Sequence, residues 1–311
     1  MMAIRLSVTI RNKLGAEKIM KITFERYHPL VTFFYYLGSL SLLLFMLHPV
    51  FLCFGFLVIL TINYLHDRLK GMKSWLFLML SIVLLIVLMN PIFNERGRHV
   101  LFVIWEHRIT LEALVYGGMS ALSIISVIAI FISYNYIMTP NKLLFLFSKF
   151  LPQFAILLML TLRFIPLMRR RLEEIILIQK SKGMSVNQGK WQTRARTGML
   201  YVQALLVYSL EEAIQTADSM KARGYGKGRR STYEFFHFRR KDTVALIILF
   251  TMFVGLAAGR HNGYGVLTIY PVMEAWQLST VDVSLLILYG LFLSFPLLVE
   301  AGEMFKWRLL N

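Results

Sequence analysis

Six long apolar segments, each nearly free of charged residues, constrain the fold of this chain more than any other feature. They lie at roughly 30–47, 50–65, 75–90, 113–136, 244–259 and 283–299. Each is close to the length that a membrane-spanning helix needs, and a helix satisfies its backbone polar groups within its own segment. With 57% hydrophobic residues overall, the sequence predicts an all-α polytopic membrane protein with about six transmembrane helices.

A further apolar segment, 151–168, allows three interpretations. It could be a seventh span, a re-entrant element, or the start of a long helix lying along the membrane surface. It runs directly into the cationic cluster 169–171. We favour the interfacial helix, because a single extra span would invert the charge balance of the segments that follow it.

The distribution of Lys and Arg predicts the orientation of the chain. The net charge is +17, and residues 137–243 hold nineteen of the 34 Lys and Arg residues. Six more lie in residues 1–29, whereas the loops 91–112 and 260–282 hold three and one. Cytoplasmic loops of membrane proteins carry the excess of Lys and Arg, so both termini are expected in the cytoplasm. Together with the high hydrophobicity, the basic charge favours a cytoplasmic face beside the lipid bilayer over nucleic-acid binding.

These patterns divide the chain into four parts. They are a basic cytoplasmic N-terminal segment (1–26) of unknown role, an N-terminal transmembrane bundle (27–136), a cytoplasmic or interfacial region (137–243), and C-terminal transmembrane helices with a short tail (244–311). The single cysteine, Cys53, lies in an apolar segment and excludes a disulfide within the chain.

Two helix-like segments in the basic region close in the same way, with a small residue, a cation and a glycine. The first closes at Ser181, Lys182 and Gly183, and the second at Ala222, Arg223 and Gly224. Taken singly, each triplet is most simply a helix C-cap, in which glycine adopts the left-handed conformation and the cation meets the helix dipole. Two of them on one predicted side of a membrane protein favour paired docking tips. A capped end would also present its cation rigidly, so the two interpretations are compatible.

The helix before the second triplet carries one apolar face. Its members recur at alternating spacings of four and three residues and are Leu206, Leu210, Ala213, Ala217 and Met220. The pattern indicates an amphipathic helix, packed on the earlier one or lying along the membrane surface. The two alanines would allow another backbone to approach closely.

No catalytic or metal-ligating constellation is present in the sequence. The seven histidines are scattered, and the glycine-rich run 224–231 lacks the spacing of a phosphate-binding P-loop. The chain is therefore predicted to be neither an enzyme nor a cofactor-binding protein. If ATP drives its function, another polypeptide must bind the ATP.

Several motifs together resemble one known family. They are the segments 160–167 and 179–184, the segment 212–226, the pairs His28-Pro29 and His48-Pro49, the pair Asn90-Pro91, and the segment 110–117. Over roughly 27–300, the chain resembles the transmembrane T component of energy-coupling factor (ECF) transporters, the group that includes the cobalt-transport Q-type permeases.

The resemblance implies a non-catalytic subunit of an ABC-type importer in the plasma membrane of a prokaryote. Such a T component joins two cytoplasmic ATPases, which bind ATP and Mg, to a small membrane S component that selects a vitamin, metal ion or other micronutrient. In the family, long coupling helices end in Ala-Arg-Gly-like tips that dock into the ATPases. Here the second tip is intact, whereas Ser181 and Lys182 replace the usual alanine and arginine of the first, so the Lys182 contact is the less specific one.

Two other functions compete with this one. A stand-alone secondary transporter with its own substrate site would need paired ionisable residues in the spans, or two halves with matching broken helices. An integral-membrane enzyme would need a metal or nucleophile constellation. The predicted spans are almost free of charge and the sequence shows no internal repeat, so the coupling subunit is preferred.

Overall fold

The computed structural model describes residues 24–94, 97–104, 107–148, 150–184, 190–228, 236–269 and 277–310. Within these ranges the chain forms ten α-helices and one short hairpin. The helices are α1 (Pro29–Phe45), α2 (Pro49–Asp67), α3 (Lys70–Phe93), α4 (Leu111–Ile137), α5 (Pro140–Ser148), α6 (Pro152–Ser181), α7 (Trp191–Ala222), α8 (Arg240–His261), α9 (Thr280–Leu293) and α10 (Phe295–Leu310). The all-α prediction is confirmed. Most of the basic N-terminal segment, residues 1–23, lies outside the described residues.

The chain divides into two compact units, one formed by 1–140 with 236–311 and the other by 141–235. In the first, called here the membrane unit, α4 packs against α1, α2 and α3. Helix α8 packs on α1, α9 packs on α2, and α8 and α9 pack on each other. Its core is rich in aromatic rings, and Tyr35, Tyr36, Tyr289 and Phe292 are all fully buried. These large rings fill the space between the helices and contact one another edge-on or stacked.

Two His-Pro pairs start the first two helices. The Nδ1 atom of His28 accepts a hydrogen bond from the backbone N–H of Leu30, and His48 does the same for Val50. In each case a proline fills the first helical position, where the missing N–H costs nothing. Helix α4 has Thr110 as its N-cap, and the Thr110 hydroxyl accepts a hydrogen bond from the N–H of Ala113.

A two-stranded antiparallel hairpin precedes α4. Strands β1 (Val100–Ile104) and β2 (His107–Thr110) pair with a register irregularity between Val100 and Phe102. The buried carboxylate of Glu112 accepts hydrogen bonds from the backbone N–H groups of Arg98 and His99. It therefore ties the chain before the hairpin to the first turn of α4.

Five helices are long and apolar enough to cross a membrane: α2, α3, α4, α6 and α8. The predicted span 30–47 forms α1, a shorter apolar helix of 17 residues. The predicted span 283–299 forms two helices, α9 and α10, which meet at a bend of 62° and together are long and apolar enough for a sixth, broken span. Pro296 lies at the start of α10 and has no backbone N–H to continue the hydrogen-bond ladder of α9.

The segment 151–168 begins a long helix, as predicted. Helix α6 starts at Pro152 and continues without a break for 30 residues to Ser181. Its length and composition are also compatible with a membrane span. The choice between a span and an interfacial helix therefore depends on the location of the residues that follow it.

Candidate functional site

The second unit is built on two long helices that run in opposite directions where they meet. The hydroxyl of Ser209 on α7 donates to the sulfur of Met168 on α6 at 3.0 Å, and the Arg171 guanidinium lies 4.5 Å from the centre of the Tyr208 ring. Just beyond the end of α6, the Met184 carbonyl accepts a hydrogen bond from the Tyr201 hydroxyl at 2.7 Å. Residue numbers rise along α6 as they fall along α7, so the crossing is antiparallel.

The second tip, Ala222–Gly224, is a Schellman cap. Arg223 is the C-cap of α7, and Gly224 takes the left-handed conformation with φ +82°. The N–H of Gly224 donates to the carbonyl of Lys221, and the N–H of Tyr225 donates to that of Met220, both at 3.0 Å. These bonds satisfy the last carbonyls of the helix and fix the backbone on both sides of Arg223.

The first tip, Ser181–Gly183, has the same cap. Gly183 has φ +77°, its N–H donates to the carbonyl of Lys180, and the N–H of Met184 donates to that of Gln179, again at 3.0 Å. The Ser181 hydroxyl adds a hydrogen bond to the Ile178 carbonyl at 2.7 Å. The departure from alanine and arginine at this tip therefore leaves the backbone geometry unchanged.

Both cations are exposed and unpaired among the described residues. Lys182 and Arg223 are exposed, and neither side chain makes a salt bridge or hydrogen bond to any other described residue. A β-carbon added at Gly183 or Gly224 would meet nothing within 4 Å. The two glycines are therefore needed for their left-handed backbone conformation and not for lack of space. No other described residue covers the surface at either glycine.

The antiparallel crossing places the two tips far apart. The first tip lies next to Tyr201, and Arg223 follows Tyr201 by 22 residues along α7. At 1.5 Å per residue this is about 33 Å along the helix axis. Each tip can therefore reach a different binding surface.

The predicted packing face of α7 is exposed. Leu206 and Leu210 are 64% and 65% exposed, and Ala213 and Ala217 are exposed as well, whereas Met220 is half-buried. Helix α7 uses a different face, with Tyr201, Tyr208 and Ser209, to contact α6. Any surface that packs on the predicted face is not among the described residues, so its packing role stays a prediction.

Two polar features of the structure have no counterpart in the sequence patterns. One is a groove of about 550 Å³ beside the first tip, lined in part by Gln179 and Glu211. The other is a buried pair in the membrane unit, in which His66 Nε2 lies 3.3 Å from the Glu300 carboxylate. The partners are 32 and 234 residues apart, so no local spacing rule connects them. Among the described residues, no group of three His, Cys, Asp or Glu side chains could hold a metal ion.

The number of long apolar helices is typical of a multi-pass membrane protein. Comparison with known proteins identifies its family. The sequence profile described as cobalt transport protein, CbiQ, matches residues 23–234. This is more than half of the chain, and the protein therefore belongs to the CbiQ family.

Curated relatives extend this assignment. A protein of Staphylococcus aureus named energy-coupling factor transporter transmembrane protein EcfT is 25% identical over 266 residues, covering 78% of this chain and 98% of the relative. The EcfT proteins of Listeria innocua (29% identical, 54% of this chain and 67% of the relative) and Streptococcus thermophilus (28% identical, 63% and 77%) are similar too. The predicted resemblance to an ECF T component is confirmed.

Proposed function

We propose that this chain is the scaffold and coupling subunit of an ECF-type importer. It transmits the ATP-driven motion of two cytoplasmic ATPases to a substrate-binding S component, and so supports uptake of a micronutrient such as a vitamin or a metal ion. Hydrolysis takes place in the partner chains, which bind ATP and Mg. The subunit lies in the plasma membrane of a prokaryote, with both termini in the cytoplasm.

The observation that carries this proposal is the pair of equivalent tips. Two unrelated stretches of sequence form the same Schellman cap and present an exposed cation at the C-cap position. They lie at separate ends of a crossed helix pair, an arrangement that suits two separate ATPase subunits. A guanidinium or ammonium on a rigid backbone suits a carboxylate-lined groove, and the fork of arginine can make two parallel hydrogen bonds.

A stand-alone secondary transporter is the second candidate, and the buried His66–Glu300 pair is the observation in its favour. The polar atoms of this pair are already engaged within the protein. His66 Nδ1 lies 3.3 Å from the hydroxyl of Ser133, which is itself 2.8 Å from the hydroxyl of Tyr36. This closed network supports helix packing better than a substrate site, and the family assignment favours the coupling subunit.

Replacement of Arg223 tests the proposal most directly. Removing one partner of a buried charge-assisted pair typically costs about 2–5 kcal/mol. Arg223→Ala should therefore reduce co-purification of the ATPases and abolish uptake, with normal amounts of the subunit in the membrane. Lys227→Ala is the matched control, since Lys227 is an exposed cation just beyond the same cap. Full transport by Arg223→Ala would refute the proposed role of the second tip.

The predicted location of the tips can be tested separately. Single cysteines at Gln192 and Ser219, in a Cys53→Ser background, should react with a membrane-impermeant thiol reagent only after the cells are opened. Both positions are exposed and flank the two tips, whereas Asn94 and Asn262 serve as external controls that should react in intact cells. Single cysteines at Ser185 and Ser231 would test the same location, and both positions lie outside the described residues.

Labelling at Gln192 or Ser219 in intact cells would mean that α6 crosses the membrane. The two tips would then lie outside and could not meet a cytoplasmic ATPase. This result would overturn the coupling function even if Arg223→Ala were inactive.

A further inference from the structure

The groove beside the first tip combines an apolar wall with polar acceptors, a chemistry that suits a long cationic side chain. It occupies about 550 Å³ between the C-terminal end of α6 and the middle of α7. Its apolar wall includes Leu200, Ala204 and Val207, and its polar wall includes Gln179 and Glu211. An apolar wall suits the aliphatic stem of a lysine or arginine, and acceptors at one end suit its charged head.

The acceptors in this groove have no internal donor. The Oε1 atom of Gln179 is buried and makes no hydrogen bond within the described residues. Glu211 is exposed and forms no salt bridge to another described residue, although its unit is strongly basic. By contrast, Glu173 and Glu174 on α6 pair with Arg169 and Arg171. A buried acceptor without a donor is costly, and a carboxylate left unpaired in a basic region attracts an external cation.

The groove is also part of the structure that presents the first tip. The backbone carbonyl of Gln179 accepts the N–H of Met184 in the cap that holds Lys182, and both residues line the groove. Gln179 precedes Lys182 by three residues, or about 4.5 Å along the helix axis. A protein that docks on Lys182 would therefore cover the groove.

We infer that the groove receives an arginine side chain of the ATPase that docks at the first tip, with Glu211 as its principal partner. This inference rests on the proposed function. Arginine fits better than lysine because its planar fork can bind the Glu211 carboxylate with two parallel hydrogen bonds. In this contact the ATPase supplies the cation and this chain supplies the carboxylate, the reverse of the Lys182 contact. The first tip thereby gains a bidentate arginine–carboxylate pair, which Lys182 itself cannot make.

Charge removal at Glu211 tests the inference. The full complex, co-expressed with its ATPase and S subunits, should lose ATPase affinity about tenfold in Glu211→Gln and more in Glu211→Arg. A charged hydrogen bond contributes on this scale, and two like charges repel. Glu212→Gln is the matched control, because Glu212 is the neighbouring carboxylate and does not line the groove. Equal effects of Glu211→Gln and Glu212→Gln would overturn the inference.

The identity of the occupant can be tested by photocross-linking. The photoreactive residue p-benzoylphenylalanine, placed at Gln203 in the groove wall, should cross-link to an ATPase chain. The cross-link also identifies the nearby arginine of the ATPase. Changing that arginine to Glu should restore ATPase binding by the Glu211→Arg variant, because the charge pair is then re-formed with its members exchanged. A cross-link to the S component or to lipid alone would overturn the inference.

The inference and the proposed function can fail separately. If Glu211→Gln binds the ATPases normally while Arg223→Ala does not, the inference fails and the proposed function stands. If neither variant affects ATPase binding, both fail.

Discussion

The membrane unit and the unit formed by 141–235 treat their polar side chains in opposite ways. In the membrane unit, several buried polar groups are paired within the protein, although the hydroxyls of Thr32 and Tyr289 have no hydrogen-bond partner among the described residues. His66 and Glu300 are each 5% exposed and lie 3.3 Å apart, and Asp242, also 5% exposed, accepts hydrogen bonds from the backbone N–H groups of His28 and Arg239. Because water does not reach such sites, a partner inside the protein lowers the free-energy cost of burying these polar groups.

The other unit exposes most of its polar and apolar surface. Of the long helices α6 and α7, only Ala155, Thr197 and Tyr201 are buried. The two tip cations and Glu211 have no partner among the described residues, and large apolar side chains such as Leu206 and Leu210 are exposed. Exposed apolar patches and unpaired charges on capped helices are typical of surfaces that bind another molecule. Buried polar pairs thus join helices in the membrane unit, whereas the other unit leaves its tip cations and Glu211 exposed and unpaired among the described residues.

The largest effect is expected from breaking the buried pair in the membrane unit. Glu300→Ala leaves His66 Nε2 without its partner and removes packed atoms, which should destabilise the protein by about 3 kcal/mol. Glu173→Ala removes a carboxylate from an exposed pair with Arg169 and should cost less than about 1 kcal/mol. The measurement is the melting temperature of the purified subunit in detergent. Similar shifts for the two variants would contradict the distinction between the units.

The sequence predicts what depends on local spacing. The apolar helices α2, α3, α4 and α8 and the long helix α6 follow from apolar length and composition, and all of them are present. The two caps follow from the glycines at 183 and 224, since only a left-handed residue ends a helix in this way.

Features that depend on residues far apart in the sequence cannot be predicted from local spacing. The pairing of His66 with Glu300 joins α2 to α10 across 234 positions, and the groove at Gln179 and Glu211 requires the antiparallel crossing of α6 and α7. The apolar face of α7 shows a further limit. Periodicity correctly indicates one face of a helix, but it does not say whether that face packs inside the chain or stays exposed for a partner.

An intermediate effect, on partner binding rather than stability, is expected at the first tip. Lys182→Glu should weaken ATPase binding about tenfold, a loss typical of one charge-assisted contact. Lys182→Arg should bind normally, because it keeps the charge and restores the fork. Lys180→Glu is the matched control. It makes the same charge change in the last turn of the same helix, at an exposed residue two positions earlier. If both glutamates weaken binding equally, net charge or the helix dipole accounts for the effect, and Lys182 is only a helix cap.

The smallest effect is expected at the glycine of the second tip, where a substitution tests presentation of the cation rather than its charge. Gly224→Ala forces an L side chain into φ +82° and should cost about 1 kcal/mol of local stability. Gly224→Asn should cost less, because asparagine tolerates the left-handed region. Gly198→Ala is the matched control: Gly198 lies inside α7 with open space around it, so alanine there should stabilise the helix by roughly 0.5–1 kcal/mol.

The glycine variants keep Arg223, so they separate its charge from the rigidity of the cap. ATPase binding and uptake are measured together with the melting temperature. Gly224→Ala should weaken ATPase binding although the cation is intact, since the altered cap no longer holds Arg223 in one direction. Gly198→Ala should leave binding unchanged. Full binding by Gly224→Ala would show that the charge of Arg223 is sufficient and that the rigid cap contributes nothing to docking. The contrast between a unit that fixes its polar groups by burial and one that fixes them by helix caps would then no longer hold.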